Sequence, residues 1–250
     1  MKCKAVIFCG GRGSRINEIT HKIPKPLIII NKVPILMHIM HHFVKFGVNE
    51  FVLCLGYNAE YFFNYFKSLS NVEFINPTTL ILKKKISYKI HLVNTGINSC
   101  VGERLYKVKN RIINDDYFFA TYGDVVTDFN LSLLKSKLKK NKKLEVSFLG
   151  INPLNSYHLV SSNKLGVVKK ISDFSNSNYW INGGFFFCRP SVFNYMRKTD
   201  EFISDTVTRM LPNKNVYMHK YRGFWYSLEN YKDYLFLKKN LHNKLYKKNK

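Results

Sequence analysis

Three short apolar runs constrain this chain more than any other feature: residues 4–9, 51–55 and 117–122. Each is followed at once by glycine, at Gly10, Gly56 and Gly123. Apolar runs of this length bounded by glycine read as buried strands. Between the first two lies a helical pattern over 34–46, with Ile35, Leu36, Ile39, Met40, Phe43 and Val44 on one face and Gly47 placed to cap it. Residues 58–67 read as a second helix. Strands alternating with helices predict an α/β fold, a Rossmann-like, mostly parallel sheet flanked by helices.

The rest of the chain extends this plan. Residues 71–100 are strand-like and basic, 103–114 helical, 131–143 a lysine-rich helix, and 144–150 another strand. From 151 to 188 the pattern is β-like with polar turns. Residues 230–250 form an amphipathic helix with Tyr234, Leu237, Leu241 and Leu245 on one face. With no repeat and no linker, one domain is expected: a core over 1–150, a small β-rich region over 151–222 and a C-terminal helical segment over 223–250. A chain of 250 residues, 46% hydrophobic, can bury one sizeable core.

The formal net charge is +24. Lysine and asparagine are spread along the whole chain, which reads as compositional drift and not as a dedicated nucleic-acid surface. The lysine-rich stretches at 135–143 and 238–250 lack an aromatic stacking platform. Five cysteines, an odd number with no zinc spacing, fit a reducing compartment. No apolar run approaches about 18 residues and no leader pattern opens the chain, so a cytoplasmic protein without membrane insertion is expected.

Chemistry concentrates at the ends of the strands. Gly10-Gly11-Arg12-Gly13-Ser14-Arg15 follows the first strand, and its exposed backbone N–H groups suit phosphate oxygens. Arg15 can grip a phosphate bidentately. The loop has neither a Walker ending nor a GxGxxG spacing. Lys25 stands between Pro24 and Pro26, and Asp124 ends the third strand, where open α/β sheets bind ligands.

This assembly resembles the sugar-phosphate nucleotidyltransferases, and within them the glucose-1-phosphate cytidylyltransferases. The markers are Val6–Arg15, Lys25-Pro26, residues 34–40, Gly56-Tyr57, Gly102–Leu105, residues 121–124, residues 181–186 and Gly223-Phe224-Trp225. The resemblance covers about residues 4–240. It implies joining of an NTP, CTP in particular, to a phosphorylated small-molecule acceptor such as glucose 1-phosphate, with release of pyrophosphate. Such transfer needs positioning and charge neutralisation more than covalent chemistry.

The same resemblance implies the residue roles. Phe8, Cys9, residues 10–15, Lys25, Gly102, Arg104, Thr121 and Tyr122 would form the nucleotide site. Arg15, Lys25 and Asp124 would be catalytic, and Asp124 with Glu229 would hold Mg²⁺. Asp173, Asn182 and Gly183 would bind the acceptor in the 151–222 region. Self-association is also implied, with the apolar face of the C-terminal helix as its candidate surface.

Three departures stand out. Glu229 occupies the place of a second metal-binding Asp. The family's Glu-Lys-Pro reads Asp173-Phe174-Ser175, so its acceptor-gripping lysine is missing; Lys169 and Lys170 are candidate substitutes. The Arg-Phe-Gly segment has no counterpart around residues 155–158. A changed acceptor is the expectation, and a member that binds nucleotide or a partner without turnover is the competing reading.

Overall fold

The computed structural model describes residues 2–13, 23–152, 158–173 and 178–246. In chain order the elements are β1 (Cys3–Phe8), β2 (Ile29–Ile30), β3 (Val33–Pro34), α1 (Ile35–Lys45), β4 (Glu50–Leu55), α2 (Ala59–Lys67), β5 (Val72–Asn76), β6 (Thr79–Leu82) and β7 (Tyr88–Asn94). Then follow α3 (Val101–Lys107), β8 (Tyr117–Tyr122), β9 (Val125–Thr127), α4 (Ser132–Lys140), β10 (Val146–Ile151), β11 (His158–Ser162), β12 (Val168–Asp173) and β13 (Ile181–Cys188). A π-helical turn, Phe202–Val207, precedes β14 (Val216–Tyr221), β15 (Trp225–Ser227) and α5 (Tyr231–Leu245).

Nine strands form one sheet in the order β14-β10-β13-β8-β1-β4-β7-β6-β5. Only β6 and β13 run against the others, so the sheet is mostly parallel, as expected. Alternate side chains of the central strands feed two cores, because successive residues of a strand face opposite sides. On one side Ala5, Ile7, Phe119, Phe185 and Phe187 pack with α1, α2, α4 and α5. On the other Val6, Phe8, Phe118, Ala120 and Phe186 pack with α3 and the 202–210 segment. Strands loaded on both faces are what continuous apolar runs require.

The helix expected over 34–46 runs Ile35–Lys45, and Gly47 takes the left-handed φ of 76° that ends it. The region 151–222 departs from expectation. Its strands β13 and β14 join β10 inside the central sheet, and only the β11–β12 hairpin stands apart. Asn182-Gly183-Gly184 lies within β13. A second correction concerns α5. Leu237 and Leu241 are fully buried, and Tyr234 and Leu245 pack against the same core. The apolar face of α5 is therefore largely covered within the chain.

The wall behind α3 is tied by one ion pair. Asp200 is buried and its Oδ2 accepts from Arg209 Nη1 at 2.8 Å, Thr206 Oγ1 at 2.9 Å and the Arg197 N–H at 2.9 Å. These donors, Arg209 first, hold the carboxyl well below its ordinary range. A depressed acid contributes stability above its unfolded pKa, near 3.9, and loses it as pH falls toward the folded value. Asp200→Asn is expected to cost about 2 kcal/mol at pH 7. That gap should shrink below about pH 4, as read from denaturant midpoints across pH. A gap that persists unchanged at pH 3 would contradict this account.

Candidate active site

The glycine loop leaves β1 at the centre of the sheet, and a single buried side chain fixes it. Arg104, on α3, is only 4% exposed. Its Nη1 donates to Leu55 O at 3.0 Å, Thr95 Oγ1 at 2.8 Å and Gly96 O at 2.8 Å. Its Nη2 donates to Gly10 O at 3.0 Å and Ile97 O at 3.3 Å. The guanidinium thus ties the ends of β1, β4 and β7 together. A Cβ at Gly10 would run into that guanidinium, so the close approach requires glycine. The Gly10 carbonyl also accepts from the Tyr57 N–H at 3.2 Å. Gly13 follows with a left-handed φ of 65°.

Lys25 opens a 3₁₀ turn, Lys25–Leu27, braced by Pro24 and Pro26. Its side chain is 8% exposed, and its Nζ lies 3.3 Å from Asp124 Oδ2 and 3.2 Å from Glu229 Oε2. The two carboxylates meet because β9 and β15 pair antiparallel, Val125 opposite Ser227, while the Leu228 N–H donates to Asp124 O at 2.9 Å. Glu229 is steered further. Its Oε1 accepts from Ser227 Oγ at 2.8 Å, and its N–H donates to Asp233 Oδ2 at 2.9 Å. Asp233 also completes the capping box of α5 with Asn230. Burial raises the Asp124 carboxyl above its ordinary range; Lys25 opposes this and Glu229 adds to it.

The donor set suits a hard divalent cation. Mg²⁺ is commonly held by one or two carboxylates together with substrate phosphates. Asp124 and Glu229 converge on one cation already, the Lys25 ammonium. Among the described residues no group of three or more His, Cys, Asp or Glu is placed to hold a metal ion. The cleft around this point is about 1360 Å³. A pocket for one small ligand spans about 300–1,000 Å³, so two substrates can sit here together.

The structure brings most of the expected residues to this cleft: Phe8, Cys9, residues 10–13, Lys25, Arg104, Tyr122, Asp124, Asn182 and Glu229 line it. Cys9 is buried and its thiol is pushed well above the ordinary range by that burial, so it acts as apolar floor. Asn182 donates its amide to Tyr122 OH at 3.1 Å and accepts the Gly184 N–H at 2.9 Å, which fixes its face to the cleft. Ser14, Arg15 and Phe174 lie outside the described residues.

Six residues singled out in the sequence do not line the cleft. Thr121 is fully buried in β8. Gly102 presses on the backbone of Asp200 and Phe202, leaving no room for a Cβ, and is not among the cleft-lining residues. Asp173 is exposed at the end of β12, 3.3 Å from His158, on a hairpin that forms a two-stranded sheet of its own. Lys169 and Lys170 are exposed on the same strand. Gly183 lies behind the cleft surface, though its carbonyl accepts from Trp225 Nε1 at 2.7 Å. Trp225 packs against the core and also lines the cleft, with Asn152 and Arg222. Only the strand pairing could have located these three.

A glycine loop at the carboxyl end of a central parallel strand, a buried lysine and two convergent carboxylates define a site suited to phosphate esters. The chain belongs to the nucleotidyl transferase family, whose model matches residues 4–244. It is 33% identical over 240 residues to a probable glucose-1-phosphate cytidylyltransferase of Bacillus subtilis, with 93% of each chain covered. It is 30% identical over 204 residues to the D-glycero-alpha-D-manno-heptose 1-phosphate guanylyltransferase of Campylobacter jejuni, covering 80% of this chain and 81% of that one. The inositol-1-phosphate CTP transferase of T. maritima superposes with a TM-score of 0.65 at 15% identity, over 98% of both chains, and speaks for the fold.

Proposed function

We propose that this nucleotidyltransferase joins CTP to a sugar 1-phosphate, glucose 1-phosphate or a close relative, and releases pyrophosphate. The observation that carries the reading is Lys25 Nζ held between Asp124 and Glu229 beside the glycine loop. Both relatives named above are, by name, transferases acting on a sugar 1-phosphate. They differ in base, so the choice of CTP rests on the longer and more similar match.

The chemistry follows from placement. An acceptor phosphate oxygen attacks the α-phosphorus in line, the bond to the β-phosphate breaks, and pyrophosphate leaves. Residues 10–13, pinned by Arg104, offer backbone N–H groups to the triphosphate. Lys25 carries its charge to the α-phosphate, where negative charge grows in the transition state. Asp124 and Glu229 would hold Mg²⁺, which supplies charge neutralisation and alignment between the phosphates. The extra methylene of Glu229 is accommodated, since it reaches the same ammonium as Asp124. Asn182, fixed by Tyr122 and Gly184, supports acceptor hydroxyls.

The test is pyrophosphate release with Mg²⁺, each of CTP, UTP, GTP and dTTP, and a panel of phosphorylated acceptors led by glucose 1-phosphate. Release is expected with CTP and glucose 1-phosphate, and not when either is omitted. Release with another pair only would reassign the substrates. No release with any pair, while CTP still raises Tm, would favour a nucleotide-binding protein without turnover.

A further inference from the structure

The glycine loop has two ends with different neighbours. Gly13 lies against the Lys25 side chain, and Gly10 lies against Arg104 of α3. With the α-phosphate at Lys25, the nucleoside is left the Gly10 end, because Asp124 and Glu229 already face Lys25 for the phosphates. The cleft wall beside Gly10 is the start of α3: Ser99, Cys100 and Val101, joined by Glu201.

Four acidic residues line the cleft: Asp124, Glu201, Glu229 and Asp233. Asp124 and Glu229 share Lys25, and Asp233 caps α5. Glu201 is the one to which neither the phosphate chemistry nor the fold of α5 gives a task. Its backbone is fixed. Gly102 brings α3 against Asp200 and Phe202 on either side of it, and Arg209 locks Asp200. The Glu201 N–H donates to Asp205 Oδ2 at 2.7 Å, and its carbonyl accepts the N–H groups of Asp205 at 3.1 Å and Thr206 at 3.3 Å. Its side chain is half-buried, and Oε2 accepts the Val101 N–H at 3.0 Å. A carboxylate offers about four lone-pair directions, so one such bond orients it and leaves it able to accept more.

We infer that Glu201 reads the base, its carboxylate accepting the 4-amino group of cytosine. Cytosine presents an N–H donor at that position, whereas uracil and thymine present a carbonyl oxygen. A carbonyl set against a carboxylate is unpaired and repelled, so Glu201 favours CTP over UTP and dTTP. The inference rests on the nucleotidyl transfer proposed above and adds to it the residue that chooses among pyrimidines.

The experiment compares the wild type with Glu201→Gln, Glu201→Ala and Glu103→Gln. It measures kcat/KM for CTP and for UTP at saturating glucose 1-phosphate, and calorimetric titrations with each nucleotide alone. The wild type is expected to favour CTP over UTP by about 10- to 100-fold, the worth of one charged hydrogen bond. Glu201→Gln keeps an acceptor for the Val101 N–H, but its amide can turn to accept from cytosine or donate to uracil. The preference should therefore fall to about threefold or less in Glu201→Gln and in Glu201→Ala, in turnover and in binding alike. The KM for glucose 1-phosphate should change less than about threefold. Glu103 removes the same charge from the same helix turn, pairs with Lys107 at 2.7 Å and does not line the cleft. Glu103→Gln should keep the wild-type preference.

An unchanged CTP-to-UTP ratio in both Glu201 variants would overturn the inference. So would equal losses for the two nucleotides, which would show that Glu201 only shapes the start of α3, or a ratio that falls as far in Glu103→Gln. If the wild type uses CTP and UTP equally well, the role of Glu201 is lost and the transfer reaction stands. If the wild type binds CTP and turns over no sugar phosphate, the proposed transfer fails, and the binding ratios alone decide for or against Glu201.

Discussion

Asp124→Asn is expected to lower turnover by at least about 1000-fold while the protein stays folded. The amide keeps the volume and one oxygen but loses the charge that a divalent cation and the Lys25 ammonium require. The sign of the stability effect differs from that of most site mutations. Burial raises the Asp124 carboxyl, so the folded state favours its protonated form, with Glu229 adding to the effect and Lys25 offsetting part of it. A group raised in this way costs stability once pH exceeds its unfolded value, near 3.9. At pH 7 the ionised carboxylate is therefore a burden on the empty protein, and Asp124→Asn should melt at or above the wild-type temperature. Activity and melting curves measured side by side decide the matter. A variant that loses both activity and Tm would show Asp124 to be structural, and one that keeps a tenth of the activity would remove it from the chemistry.

Arg104→Ala is the second large effect, and it should appear in stability and binding together. Removing the guanidinium takes away five hydrogen bonds and leaves carbonyls of Gly10, Leu55, Gly96 and Ile97 facing a void. Loss of one partner from a buried charged network costs about 3–5 kcal/mol. For a chain of this size that is roughly 6–20 °C in Tm. The KM for CTP should rise at least about tenfold, because the loop that receives the triphosphate loses its anchor. Arg104→Lys should recover little, since one ammonium cannot reach acceptors on three strands. Thermal denaturation and CTP titration test this pair. A destabilised Arg104→Ala that nevertheless binds CTP normally would sever the link between clamp and loop.

Both residues show what could be read in advance. Lys25 and Asp124 were legible because each sits in a local signal, a lysine between prolines and an acid at a strand end. The three central strands were legible for the same reason, being apolar on both faces. What depends on pairing between distant segments was not. β13 carries Asn-Gly-Gly, turn chemistry on local grounds, yet its Phe185–Cys188 run fills both cores and tertiary packing decides. Arg104 was placed in the nucleotide pocket, but its five acceptors are carbonyls and a hydroxyl scattered over 10–97, which no spacing reveals. Asp173 rests on the family resemblance alone, and it lies on the separate β11–β12 hairpin, not among the residues that line the cleft.

The pairing of β9 with β15 has a consequence in time. A ribosome makes the glycine loop, Lys25 and Asp124 before it makes Glu229. Glu229 comes last, on a strand that must find β9 across a hundred residues of intervening chain, and it is steadied by the first turn of α5. A nascent chain can therefore assemble a phosphate-binding surface well before it can assemble a complete catalytic centre.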